Sequence, residues 1–297
     1  IMARNTGSLN VNRGTYTNLN RGIFARNSDS LRVRRSIFDD CRFGVRANYL
    51  TDIDIRLIEV RNGKNNSYGI YCQNTQNKGI IFNYGIDIIN NNFQNLDYGI
   101  AMFDNLTTIN IANNSQINNI SNTGIILQNV SNIYFPAFIS NNTINNARSG
   151  ILMTNFQIQG NDPIGNSILN NNIQISTSTD VGEIYSGISL EGSSWVNVVG
   201  NDITGFGSSA NWVNGVSVSS SSDCFISCNE TDNTGTGFLF QGQTPYSTHY
   251  EDGVFLGNTI QNADDGVYFN QNHFFGTQGR ASTPSDNKWI GTFGRSH

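Results

Sequence analysis

The chain has 297 residues, of which only 13% are charged and about a sixth are Asn, and it carries a net charge of −5. An acidic, weakly charged chain without a basic binding motif is a poor fit to nucleic acid, and no apolar run is long enough to span a membrane. Apolar residues return in register too regularly for a disordered chain, which leaves a polar protein with a narrow core of Ile, Val, Leu and Phe.

The charge is unevenly placed. Residues 1 to 61 hold eleven Arg against six acids, a balance of +5, and the remainder holds six basic residues against sixteen acids, a balance of −10. In an elongated fold this makes a dipole with a basic N-terminal end, suited to a neighbouring domain or to head-to-tail association of copies. Ile1 opens inside what reads as strand, with no signal peptide, as a processed product or an excised piece would. Within the basic stretch, Arg32, Arg34 and Arg35 with Asp39 and Asp40 read as a surface ion-pair cluster.

From Gly22 onward one phrase recurs: glycine, an apolar residue, any residue, another apolar residue. It reads Gly22-Ile23-Phe24-Ala25, Gly44-Val45-Arg46-Ala47, Gly69-Ile70-Tyr71-Cys72 and Gly99-Ile100-Ala101-Met102, then continues at Gly124, Gly150, Gly187, Gly215, Gly237 and Gly266. The steps of 22 to 37 residues match the period of a solenoid. Each period adds a second short strand, such as Ile86-Asp87-Ile88 or Ile109-Asn110-Ile111. A third follows, led by Asn or Asp, such as Asn92-Phe93 or Asn172-Ile173.

Strands this short pair with their counterparts one period away, which stacks them in parallel and coils the chain. Crossovers between parallel strands are right-handed in nearly all cases. The expected fold is therefore all-β: a right-handed parallel β-helix of ten to eleven turns, three short strands per turn, roughly 50 Å long. It forms one domain over 1–297, regular from about 20 to 270, with a loop and a last partial turn over 271–297. Asn suits the corners, because it tolerates left-handed backbone angles and its amide reaches the equivalent Asn of the next turn.

These phrases resemble the pectin-lyase-like β-helix superfamily and, more loosely, the β-helix modules of large secreted bacterial surface proteins. The resemblance covers about residues 20 to 270 and implies a secreted or cell-surface location. In enzymes of that superfamily it implies a groove along one sheet face, with catalysis by clustered carboxylates, carboxylate-bound calcium, or an Arg or Lys base. The polygalacturonase motifs are not assembled here, since neither Gly-His-Gly nor Arg-x-Lys occurs.

Strand parity exposes two positions per glycine-led strand, among them Tyr71, Gln73, Phe103, Gln128, Glu191 and Tyr268. Tyr71, Phe103 and Tyr268 are candidate sugar platforms, Gln73 and Gln128 polar contacts, and Glu191 the one acid in these rows. Two insertions break the rhythm. The first spans 156 to 186; the second, at 241 to 253, brings Tyr246, His249, Tyr250, Glu251 and Asp252. Long loops on a rigid scaffold carry function, so His249, Glu251 and Asp252 join Glu191 as candidate catalytic groups, and Tyr246 and Tyr250 as ligand contacts. Asp264 and Asp265 precede a glycine and are weak calcium candidates. The four cysteines read as small buried residues; Cys224 and Cys228 share a strand face too far apart to bridge.

The leading expectation is a non-catalytic extracellular module, a rigid scaffold or a surface contacting polysaccharide, in a larger protein or assembly and without an obligatory cofactor. The alternatives are a polysaccharide lyase or glycoside hydrolase, and a self-associating fibre subunit.

Overall fold

The computed structural model describes residues 1–76, 85–132, 136–158, 166–176, 184–207, 213–242, 254–270 and 285–293. Among these, every regular element is a β-strand, and no helix is long and apolar enough to cross a membrane. The strands form a 19-stranded sheet, a 10-stranded sheet and a small two-stranded one, and within each the pairings are parallel to strands one repeat away. This is a solenoid-like architecture consistent with a parallel β-helix. A first repeat precedes Gly22: Met2–Arg4 pairs with Arg21–Arg26, Ser8–Asn12 with Ser30–Arg34, and Thr15–Thr17 with Ile37–Asp39.

The three rows are not always separate. Asn92–Phe103, Gln116–Gln128 and Thr143–Thr154 each run as one strand through the third row and the glycine-led row. The corner survives as a register shift, for example between Leu96 and Tyr98, at left-handed Asn95, Asn119 and Asn146. A bulge bends a strand without ending it, which is why the larger sheet contains two of the expected rows.

The core lies between the sheets. Ile70, Ile100, Ile125 and Ile151 on the glycine-led row face Ile55, Ile88, Ile111 and Ile139 on the ten-stranded sheet, all completely buried. Third-row Phe93, Ile117, Ile144 and Ile173 close the section. They press against the next glycine column, which explains that column: a β-carbon on Gly44 would lie 2.7 Å from the carbonyl oxygen of Gly69 and 2.9 Å from the Val60 methyls. Glycine is required there by close approach rather than by its backbone angles.

Asparagine does two jobs at each corner. One residue takes a left-handed backbone and stays outside, as Asn95, Asn119 and Asn146 do, with amides linked at 3.1 Å (Asn119 to Asn95) and 2.8 Å (Asn146 to Asn119). At another corner the following Asn turns inward. Asn91, Asn114, Asn142, Asn171, Asn201, Asn229 and Asn258 form a buried ladder: the Asn91 side-chain oxygen accepts from the Ile58 N–H, and each later one accepts from the amide of the Asn one repeat before it. Each also donates to a strand carbonyl of the preceding repeat, as Asn171 does to Ile139 at 2.9 Å.

Cys228 corrects the expectation that all four cysteines are buried. Strand Phe225–Ser227 ends before it, and Cys228 occupies a left-handed corner (φ 55°) where its side chain is exposed. Cys41, Cys72 and Cys224 are buried, and burial pushes the Cys224 thiol up to about 12 and Cys72 further. Since the thiolate is the nucleophile, alkylation of the native protein at pH 8 should label Cys228 alone within minutes. Mass spectrometry of the labelled peptides checks this, and equal labelling of Cys72 would contradict the packing.

The basic stretch is paired differently from the expected cluster. Arg34 reaches Asp54 at 2.5 Å, Arg56 bridges Asp54 and Asp87, and Asp39 pairs with Arg61 rather than with its sequence neighbours. Strand register, not sequence proximity, selects these partners: Arg34 lies beside Arg56, and Asp54 beside Asp87.

Candidate functional site

The outward face of the glycine-led row carries three columns of side chains, one before each glycine and two after it. Pairing lines up Phe24, Arg46, Tyr71, Ala101, Ile126 and Leu152, then Ser189, Ser217, Leu239 and Tyr268. The second column runs Arg26, Asn48, Gln73, Phe103, Gln128, Thr154, Glu191, Ser219, Gln241 and Asn270 in the same pairings. With one strand every 4.7 to 4.9 Å, each column is a regular track along the molecule.

Toward the C-terminal half, this face opens into a cleft of about 500 Å³. Its walls are hydroxyls (Ser149, Thr154, Ser186, Ser189, Ser217, Ser219, Ser220), the amides of Asn155 and Gln241, the aliphatic Leu152, Ile184 and Leu239, and Glu191. Glu191 is exposed, in register with Thr154 and Ser219, and its Oε1 accepts from Ser189 Oγ at 3.3 Å. Ile184, just before the other end of the same strand, lines the cleft at 58% exposure. Small hydroxyls leave the room, while Leu152 and Leu239 supply apolar patches of the kind a pyranose ring covers.

Nearer the N-terminus, the same columns carry rings and guanidinium groups. Phe43, Tyr68 and Tyr98 precede or open successive glycine phrases and stack nearly parallel, with centroids 5.2 and 4.7 Å apart. Tyr68 has both faces covered in this stack, and Phe43 and Tyr98 one face each. Tyr71 stands across them at 85° and 84°, lies under the Arg46 guanidinium at 5.1 Å, and contacts Phe103 at 5.3 Å. Its hydroxyl donates to Gln73, which in turn donates to Asp104 at 3.4 Å.

The structure thus brings Tyr71, Gln73, Phe103 and Gln128 together on one face and places Glu191 further along it. Tyr268 lies beyond Leu239 at the far end, 42% exposed. Tyr71 is held by Arg46 and Phe103, so its exposed part is not a bare ring face. His249, Glu251, Asp252, Tyr246 and Tyr250 lie outside the described residues. Asp265 stands in the column before the glycines, beside Thr236, with Asp264 next to it in the chain. Among the described residues no three His, Cys, Asp or Glu side chains gather closely enough to hold a metal ion.

Strand parity puts Thr154, Ser189, Ser217 and Ser219 on the outward face without marking them as a site, and it passes over the column before each glycine, from Arg21 through Phe43, Tyr68 and Tyr98. Aligning the repeats on their glycines would have revealed that column.

No protein-family model, curated protein or solved structure matches the chain.

Proposed function

We propose that the chain is a right-handed parallel β-helix of ten to eleven turns, akin to the pectin-lyase-like superfamily, acting as a secreted or cell-surface module that contacts a polysaccharide along its glycine-led face. The cleft carries this reading. Hydroxyl and amide groups set in columns at strand spacing match a ligand that is itself a linear repeat of hydroxyls. Leu152 and Leu239 give its rings somewhere to rest. A rigid stack of paired strands holds these groups in place before the ligand arrives, which lowers the ordering cost of binding.

One observation keeps a second reading in view. Glu191 stands in the wall of the cleft, where a lyase or glycoside hydrolase would place an acid. The two readings part on one experiment. The purified chain is incubated with a panel of neutral and acidic polysaccharides, with and without calcium, and binding, new reducing ends and unsaturated products are followed together. The module reading expects binding without new ends, and Glu191→Gln leaving affinity within about twofold, as for loss of one exposed polar contact. Turnover that Glu191→Gln abolishes while the unfolding midpoint stays put would establish the enzyme instead. Absence of binding to any glycan would overturn both.

A further inference from the structure

Two groups of arginines differ in their partners. On the ten-stranded sheet Arg34 and Arg56 hold Asp54, and Arg56 also holds Asp87. On the glycine-led face they stack on rings. Arg46 lies 5.8, 5.0 and 5.1 Å from the centroids of Phe24, Phe43 and Tyr71, and Arg21 lies 4.7 Å from that of Phe24. Arg26 sits 5.6 Å from the Tyr49 ring, in register with Arg4 and Asn48. Among the described residues no carboxylate forms an ion pair with any of these three arginines.

Three further observations bear on what such a face takes. Arg21 Nε is buried without a hydrogen-bond partner. Tyr68 is stacked on both faces, by Phe43 and Tyr98, which leaves its edge, the electropositive part of an aromatic ring, for any further contact. Burial first, then the charges of Arg21, Arg42 and Arg26, lower the pKa of Arg46, although Tyr71 opposes them. Like charges are thus crowded on a partly desolvated surface. Asp97 and Asp104, which flank the glycine-led part of the Asn92–Phe103 strand, are engaged by Ser67 and Ser121 and by Gln73 and Asn129 respectively.

We infer that the Arg21–Arg26–Arg46 face is a subsite for the oxyanions, carboxylate or sulfate, of an acidic polysaccharide whose uncharged stretch would continue toward the serine-lined cleft. The inference rests on the glycan reading above and names the chemistry of one end of the ligand. Guanidinium groups pair with planar or tetrahedral oxyanions through two parallel N–H donors, and stacking on rings holds them ready to do so. A single-stranded nucleic acid would want open ring faces for its bases, whereas Tyr68 is covered on both faces and Phe43 by Tyr68 and the Arg42 and Arg46 guanidinium groups.

The test is equilibrium binding of the chain to alginate (carboxylate), dextran sulfate (sulfate), dextran (neutral) and oligo-dT, at low and physiological salt. At least one of the two acidic polymers should bind more tightly than dextran, and that binding should weaken with salt; which of them binds identifies the anion. Arg46→Gln and Arg26→Gln should each cost about tenfold in affinity, the weight of one charge-assisted contact. Arg34→Gln removes the same charge from the other sheet and should stay within about twofold, as for an exposed paired charge. Thermal unfolding of each variant separates lost binding from lost fold, and exposed Arg26 serves if the Arg46 variant is unstable.

Equal losses in all three variants would reduce the effect to net charge and overturn the inference. Tighter binding of oligo-dT, lost in Arg46→Gln, would overturn it in favour of nucleic acid. Dextran binding with indifference to both acidic polymers would sink the anion subsite and leave the glycan reading standing; silence toward every glycan would sink both.

Discussion

Replacing Asn171 with alanine is expected to destabilise the protein more than any surface change, by about 3 kcal/mol or more, because three buried polar groups lose their partners together at no less than about 1 kcal/mol each. The Asn171 side-chain oxygen accepts from the Asn142 backbone N–H at 3.0 Å and from the Asn142 amide at 2.9 Å. Its own amide donates to the Ile139 carbonyl at 2.9 Å and to Asn201 at 2.9 Å. The site is 1% exposed, so water does not replace these contacts without opening the corner. Asn171→Asp sharpens the test. It keeps an acceptor for Asn142 but points a carboxylate at the Ile139 and Asn201 oxygens, so burial and those acceptors raise its pKa in the folded state. A carboxyl whose folded pKa is raised is penalised as pH rises above its unfolded value, so this variant should be more stable near pH 4 than near pH 7 relative to wild type. Urea denaturation at the two pH values measures both effects. A cost below about 1 kcal/mol for Asn171→Ala would mean that the ladder is redundant with the strand pairing.

The second large effect is expected at the glycine column. In Gly124→Ala the new methyl would lie 2.8 Å from the Gly150 carbonyl oxygen and 2.8 Å from the Ile144 Cγ2. Ile144 is completely buried against its neighbours, and the carbonyl belongs to a paired strand, so neither yields freely. Overpacking of this kind costs about 1–3 kcal/mol. Gly7→Ala is the matched control, since a methyl there would meet only Asp29 Oδ2 at 4.0 Å, and it should fall within about 0.5 kcal/mol of wild type. If the two variants had the same urea midpoint, the glycines would not be set by packing.

The register of the outward face was legible before any coordinates, because a period of two fixes which side chains share a surface once the glycines are aligned. Tyr71 next to Arg46 and Gln73 next to Phe103 follow from that rule, and the pairing reproduces it. The Asn-Asn pairs were visible too, but their division of labour was not. Both residues are the same letter, and only the backbone angle of the first turns the second inward, as Asn170 at φ 52° does for Asn171. Cys228 misled for the same reason, because it stands at a corner that Asn141 and Asn170 occupy in earlier repeats.

The candidate site was less legible. Arg21, Phe43, Tyr68 and Tyr98 are scattered over more than 70 residues and meet through strand register, and nothing in their local sequence separates a ring whose face is free from one whose face is covered. The serine walls of the cleft carry still less signal, since Ser189 and Ser217 matter through the room they leave. Arg34 and Arg46 look alike in sequence; what separates them is that one strand register brings Asp54 within reach and the other does not.

The central claim, that the glycine-led face contacts a polysaccharide, is tested most directly by filling that face. Ser217, 7% exposed and lining the cleft, is changed to tyrosine, and Ser140, outward on the ten-stranded sheet, is changed to tyrosine as the control. Affinity is then measured for whichever glycan the wild-type chain binds. The account predicts a loss of about tenfold or more, equivalent to about 1.4 kcal/mol, for Ser217→Tyr and no change beyond about twofold for Ser140→Tyr. Equal affinity in the two variants would contradict it and place the contact surface elsewhere on the molecule.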